Sequence, residues 1–406
     1  MTTRLQLTEW STTPGVRLTP PQRDLLRTVF TATVQPSPGT NDLFDVTPGN
    51  IIGAGTVDGL AIVIRPKIPI SRVLFLLGYA TDPDHWRDGE AAIDDHVDVV
   101  DVVDAVATLY LRTIRRTIGR GLLAGYHEVR DTQPTVRGRI DLAEQLKRRP
   151  GLSAPLALEY CQHDHDIPEN QLLLSAALLL ARLPLRDTAT RRELRRLTDS
   201  FPDVTPLQPH RSRIPSITWT RLNGYYRPAV ELARLLLSGA SPELGAGNAS
   251  TDLLRIDLTV VFEDFIRAAL REAAHLSPEE FPDGDHCAPL RLDVKGRVRL
   301  KPDLSWHHHG TWRFVGDVKY KRDTGPGANP DLYQLHAYAT ATGLDDAWLI
   351  YAFGPPEART HQVIDEGPRL HVRHIDLAAS PNDILTSMSL LAAELLPTDG
   401  ASTLSA

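Results

Sequence analysis

The chain reads as a mixed α/β protein in three parts. A β-rich segment spans residues 1–96, a helical segment 97–250, and an α/β segment 251–406. Three observations carry that reading. Two apolar runs joined by Asp58-Gly59 mark a hairpin near the start. Apolar residues then recur every three to four positions through the middle, as on helix faces. The last part alternates helix, strand, strand, helix, strand. A length of 406 residues suits two or three domains.

In the first part, Pro20 to Phe30 reads as a helix. Ile51 to Val57 and Leu60 to Ile64 read as the hairpin strands, and Val73 to Tyr79 as a short helix. Residues 81–96 are polar and read as a linker. In the middle, Val97 to Ile118, Asn170 to Leu183, Arg191 to Phe201 and Tyr226 to Leu237 read as helices, interrupted by an extended piece, Glu128 to Leu142. Asp94, Asp95, Asp98, Asp101 and Asp104 read as a solvated acidic helix start. The Gly, Ser, Pro and Asn of Gly239 to Thr251 mark a boundary. In the last part, Leu258 to Ala274 reads as an amphipathic helix. Arg297 to Trp306 and Thr311 to Lys321 read as strands around a His307-His308-His309-Gly310 turn. Helix Asp331 to Thr342 follows an Asn329-Pro330 start, then strand Ala347 to Phe353 and a final helix Asn382 to Leu396.

Composition narrows the function classes. Hydrophobic residues make up 42% and charged residues 23%, ordinary for a soluble globular chain. The formal charge of -7 excludes a generally basic nucleic-acid coat, so any DNA contact must be local. Two cysteines, Cys161 and Cys287, speak against a disulfide framework and for a reducing compartment. No run approaches the roughly 18 apolar residues of a membrane helix, and Met1 to Trp10 lacks a signal-peptide core. A cytoplasmic location is expected.

The chemistry gathers near residue 303. Asp317 and Lys319 are two apart on one strand and share a face. If the neighbouring strand pairs with it, Asp303 lies beside Asp317. Two carboxylates and the backbone carbonyl of Val318 form an oxygen-rich half-cage of the kind Mg²⁺ prefers. Lys319 beside it suits stabilisation of an attacking hydroxide or of charge developing on phosphorus. Gln334 and Tyr338, four apart, share one helix face. Glu263 on the preceding helix offers a further carboxylate.

That ordered set, Glu on a helix, Pro-Asp, Asp-x-Lys, then Gln-x-x-x-Tyr, resembles the PD-(D/E)XK nuclease superfamily and, more narrowly, the McrC family. The likeness extends over residues 50–376. It includes Gly53 to Lys67, Leu76-Leu77-Gly78-Tyr79-Ala80, Val136-Arg137-Gly138-Arg139-Ile140-Asp141 and Asn170-Gln171-Leu172-Leu173. It is most specific in Leu300 to Leu304, in Gly316-Asp317-Val318-Lys319-Tyr320-Lys321 and in Asp331 to Ala339. The resemblance implies a restriction-endonuclease-like core in residues 251–406, with Asp303, Asp317 and Lys319 as the catalytic trio and Glu263, Gln334 and Tyr338 in support. It implies Mg²⁺ or Mn²⁺, and hydrolysis of double-stranded DNA, modified or unmodified, to a 3′-hydroxyl and a 5′-phosphate. It also implies a separate McrB-like AAA+ NTPase, usually GTP-using, engaged by the N-terminal region. No G-x-x-x-x-G-K-[ST] stretch occurs in these residues, so no P-loop is expected here.

Two other readings stay open: a RecB-like nuclease processing DNA ends, and a non-catalytic adaptor that activates a motor. Arg137, Arg139, Lys147, Arg148 and Arg149, with Lys321, are candidates for phosphate contact, or simply a solvated or internally paired basic face. Cys161, His163 and His165 alternate but lack a standard four-ligand zinc spacing, and read as a polar loop.

Overall fold

The computed structural model describes residues 3–40, 42–87, 101–148, 154–207, 214–239, 253–282, 286–322, 329–355 and 357–395. The chain divides into two units, Met1–Ala105 with Arg255–Ala406, and Val106–Leu254. The terminal segments, read from sequence as separate domains 1–96 and 251–406, thus share one unit.

The first unit begins with β1 (Thr3–Thr8), β2 (Thr13–Arg17), α1 (Pro20–Thr28), β3 (Thr33–Pro36), β4 (Leu43–Thr47), β5 (Ile51–Val57), β6 (Leu60–Arg65), α2 (Ile70–Thr81) and the single turn α3 (Pro83–Trp86). Strands β2, β4 and β3 form an antiparallel sheet. The expected hairpin is present. Asp58 and Gly59 take φ of 46° and 72° between paired Val57 and Leu60, as a tight primed turn requires. β1 adds in parallel to β6. The polar 81–96 stretch is not all linker. Trp86 is buried and lies against Gly78, where a Cβ would come within 2.2 Å of the indole ring. Residues 88–96 lie outside the described residues. So do Asp94, Asp95 and Asp98. Asp101 and Asp104, read as solvated, are buried, and Asp101 forms an ion pair with Arg4.

The second unit takes in most of α4 (Val102–Ile118), then β7 (Gly125–Gln133), β8 (Arg139–Ile140), α5 (Leu142–Arg148), β9 (Leu156–Asp164), α6 (Pro168–Arg182), α7 (Thr188–Asp199) and α8 (Arg227–Ser238). It is not purely helical, because β7, β9 and β8 form an antiparallel sheet. Leu156, Ala157 and Leu158 bury one end of β9. Cys161 and His163, expected on a loop, are exposed at its other end, opposite Glu128 and Tyr126.

The first unit resumes at β10 (Leu253–Asp257), α9 (Leu258–Ala273), β11 (Leu290–Arg291), β12 (Arg299–Leu300), β13 (Leu304–His308), β14 (Thr311–Arg322), α10 (Asn329–Thr342), β15 (Asp346–Phe353), β16 (Arg359–Gln362), β17 (Arg369–His374) and α11 (Pro381–Leu395). β10 completes the sheet β1-β6-β5-β10. That sheet is why the two chain segments form one unit. The second large sheet runs β13-β14-β15-β17-β16. β13 and β14 are an antiparallel hairpin turned at His309-Gly310, with φ of 48° and 79°. β14, β15 and β17 are parallel. Leu335, Tyr338 and Ala339 of α10 pack with Val315, Leu349 and Tyr351 of this sheet. From α9, Phe262 reaches Tyr320 with ring centroids 6.0 Å apart. β14 is therefore covered on both faces. Among the described residues, no helix is long and apolar enough to cross a membrane.

Candidate active site

The expected strand Arg297 to Trp306 is split by Lys301-Pro302-Asp303. Proline has no N–H for a ladder, so β12 ends before it and Asp303 precedes β13 instead of lying late in a strand. The register still brings the acids together. Leu304 pairs with Gly316, and one step further sets Asp303 against Asp317. The Val318 N–H donates to Asp303 Oδ2 at 3.0 Å.

Asp317 is fully buried, whereas the Asp303 and Lys319 side chains each keep 22% exposure. The cluster thus opens to solvent through those two. Lys319 Nζ is ion-paired to Asp317 Oδ2 and stands 3.8 Å from Asp303 Oδ2. Beyond that ion pair and a hydrogen bond shared with Asp303, no other donor among the described residues reaches the oxygens of Asp317. Burial, then the Asp303 charge, push the Asp317 carboxyl well above its usual range, against Lys319. Glu263 of α9 shares a hydrogen bond with Asp303. Burial, then Asp303, push its carboxyl up to about 9. Burial also acts to raise Asp303, but hydrogen bonds from Glu263, Asp317 and the Val318 N–H, with the Lys319 charge, bring it below the usual value. For Lys319, burial disfavours the ammonium, and Asp317 and Asp303 more than reverse that. Glu263, Asp303 and Asp317 thus form a chain of three acids, two of them beside Lys319, and Glu263 and Asp317 tend to hold protons.

Gln334 and Tyr338 act one step away. Tyr338 OH donates to the Lys301 carbonyl at 2.9 Å and accepts from Gln334 Nε2 at 2.7 Å. They brace the segment that carries Asp303. Lys321 pairs with Asp331 at 2.7 Å, and Asp331 also accepts from Tyr351 OH at 2.5 Å. In the second unit, Arg137 stacks over the Tyr160 ring at 4.3 Å. Arg139 donates twice to Glu159, at 2.8 and 2.6 Å. Lys147 lies 3.8 Å from Glu144. The Arg148 side chain and Arg149 lie outside the described residues. In the β13–β14 hairpin, His307 packs on Trp312 at 4.9 Å and His308 Nδ1 lies 3.6 Å from Glu280.

Sequence reasoning missed Glu9 and Asp331. Glu9 is fully buried behind β14, where Oε2 accepts from the Lys67 N–H at 3.0 Å and from Tyr320 OH at 3.3 Å. Burial pushes it up to about 7, against those two donors and the Lys67 charge. A lone acid after a short strand carries no sequence signal of this. Asp331 had one: it sits in the first turn after Asn329-Pro330, ten residues from Lys321.

The donor set suits a hard divalent cation. Asp303 and Asp317 supply carboxylate oxygens, Asp317 has unsatisfied lone pairs, and Val318 offers a carbonyl beside them. Mg²⁺ uses one or two carboxylates and fills its other positions with water and phosphate oxygens. A cage of protein ligands is another matter. Among the described residues, no group of three or more His, Cys, Asp or Glu side chains could hold a metal ion.

A chain in the refined half-complex from the tetradecameric assembly of Thermococcus gammatolerans McrB AAA+ hexamers with bound McrC is similar over 96% of this chain and 100% of its own, at 17% identity and a TM-score of 0.50. A chain in the cryo-EM structure of the Thermococcus gammatolerans McrBC complex matches over 67% of this chain and 88% of its own, at 17% identity and a TM-score of 0.37. At such identity the first likeness speaks to the fold. No curated protein matches. The profile described as McrBC 5-methylcytosine restriction system component matches residues 46–352, and the chain belongs to that family.

Proposed function

We propose that this chain is the McrC-like endonuclease subunit of a modification-dependent restriction system, with a PD-(D/E)XK core that hydrolyses phosphodiesters in double-stranded DNA. The observation that carries the reading is the pairing of Asp303 with buried Asp317 across one hairpin, with Lys319 ion-paired to Asp317 and beside Asp303. Asp303, Asp317 and the Val318 carbonyl would hold Mg²⁺ or Mn²⁺. When bound, that ion supplies Lewis-acid activation of phosphate and water.

The chain's own residues do the rest. Lys319 presents a fixed ammonium where negative charge grows during in-line attack, and a preorganised charge in a half-buried site is effective there. The Val318 N–H orients the Asp303 carboxylate. Tyr338 and Gln334 hold the Lys301-Pro302-Asp303 segment. Glu263 keeps a proton between itself and Asp303 while the acids are uncompensated.

Because these residues contain no P-loop, the motor is proposed to be a separate AAA+ NTPase. The McrB hexamers of the Thermococcus assembly support that choice. The test is cleavage of modified and unmodified duplexes by this chain with its cognate NTPase, Mg²⁺ and GTP or ATP. Cleavage should need both proteins and stop with Asp317→Ala. Undiminished cutting by that variant would sink the assignment. Cutting of plain DNA ends by this chain alone would favour an end-processing nuclease.

A further inference from the structure

The twelve residues Leu290 to Lys301 lead straight into the proposed catalytic segment. They carry five cationic side chains, Arg291, Lys295, Arg297, Arg299 and Lys301, and one acid, Asp293, in a chain of net charge -7. They form the β11–β12 ribbon and its tip. The single acid is engaged inside the ribbon. Asp293 accepts from the Val298 N–H at 2.8 Å and from Arg297 Nε at 3.2 Å, and its carbonyl accepts from the Gly296 N–H at 2.8 Å. Arg291, Lys295 and Arg299 form no ion pair among the described residues.

Arg291 and Arg299 stand directly opposite each other across the ladder. Like charges in that position weaken a ribbon, and a two-stranded ribbon is marginal to begin with. A fold optimised for stability alone would set an acid in one of the two places. The pair makes sense when an anion from outside lies between the guanidinium groups.

The other face is apolar and divided. At the base, Leu290 is buried and Leu300 packs with it against Val315, Leu335 and Tyr338. Tyr338 OH ties the base to the Lys301 carbonyl. Further out, Leu292 and Val298, joined by a 3.0 Å backbone bond, are about half exposed, and Val294 at the tip is fully exposed. Cations interleaved with protruding aliphatic side chains are what grips a duplex by its phosphates and presses on its groove. The tip stands about 10 Å from the base at ordinary strand rise, comparable with the ~12 Å width of the major groove.

We propose that this ribbon is a duplex-DNA clamp. Arg291, Arg299 and Lys295 hold the phosphates flanking the bond presented to Asp303 and Asp317, and Val294 lies against a groove. The proposal rests on the nuclease reading and deepens it.

The test uses the full chain in an Asp317→Asn background, so that DNA stays intact. Binding of a fluorescent ~30-bp unmodified duplex is followed by anisotropy from 50 to 200 mM salt. Arg291→Ala/Arg299→Ala should weaken binding about tenfold or more, to the same extent for unrelated sequences. The slope of log affinity against log salt should become shallower by about 2. Arg291→Lys/Arg299→Lys should restore most of both, and the melting temperature of the alanine variant should hold or rise as the repulsion is relieved. An unchanged affinity and slope overturns the proposal. So does a parent Asp317→Asn chain that fails to retain duplex at 50 mM salt, or an alanine variant that loses the NTPase partner while keeping DNA. The nuclease reading fails on a different readout, cleavage by Asp317→Ala, so the two failures are separable.

Discussion

Strand β14 carries two buried carboxylate environments back to back. Asp317 and Lys319 face one side, and Tyr320 faces the other. On the first side, Asp317 meets Asp303 and Lys319, and no further donor among the described residues reaches its oxygens. On the second, Glu9 is equally buried, but one oxygen takes both the Lys67 N–H and Tyr320 OH, within a wall of Trp10, Phe353 and Phe262. Burial raises both carboxyls. What comes next differs. For Asp317 it is a second acid, which raises it further; for Glu9 it is hydrogen-bond donors, which oppose the rise. Burying an acid is therefore no mark of chemistry. Pooling acids without enough donors, at an opening to solvent, leaves carboxyls that take up protons or an external positive charge.

The sharpest way to break this contrast is Asp317→Asn. Cleavage by the reconstituted system should fall roughly 10³-fold, the scale of losing one group that stabilises transition-state charge. The melting temperature should hold or rise, because an uncomfortable acid has been removed. A melting temperature that drops along with the activity would make Asp317 a structural acid like Glu9.

Glu9→Gln should do the opposite, leaving kcat alone and changing stability. A carboxyl raised from 4.5 to about 7 binds its proton more tightly when folded. Its contribution is fully present below pH 4.5 and is lost as pH rises through 7. At pH 8 wild type should be about 3 kcal/mol less stable than the glutamine variant, and the gap should shrink to under about 1 kcal/mol by pH 5. Melting curves from pH 5 to 8 check this; parallel curves would break the assignment.

Tyr338→Phe removes a donor to Lys301 and an acceptor for Gln334. About 1–2 kcal/mol of stability should go, with a larger fall in kcat than rise in KM, because Asp303 loses its brace. Smallest is Tyr320→Phe. It should cost under about 1 kcal/mol at its 3.3 Å bond, with cleavage unchanged.

These two environments were unequally legible. The Asp303 and Asp317 pairing could be read because its information is local. A four-residue turn sets the hairpin, the strand period sets the face, and Asp-x-Lys lies within three residues. The break at Pro302 shifted Asp303 out of its strand without changing its neighbour. Glu9 could not be read, because its burial comes from Lys67 and Tyr320, 58 and 311 residues away. The strand Leu156–Asp164 was missed for a similar reason. Its polar end has an exposed face and pairs with residues 125–133 across about thirty positions, so its residues look like a loop. Arg359–Gln362 and Arg369–His374 are short and rich in polar residues, and they are held by pairing beside β15. The hairpin at Asp58-Gly59 needed no such help.

The discontinuity of the first unit has a consequence for how the protein is made. Residues 106–254 are contiguous, so their contacts close within one stretch of chain. Strands β1, β5 and β6 must wait about 190 residues for β10, and Glu9 waits longer still for Tyr320. Bringing such distant segments together is the slow step expected of high contact order. A fragment starting at residue 251 would lack that N-terminal half and leave the back of β14 uncovered. The Asp303–Asp317 pair would thus be assembled late in synthesis, after residues 106–254 have been made.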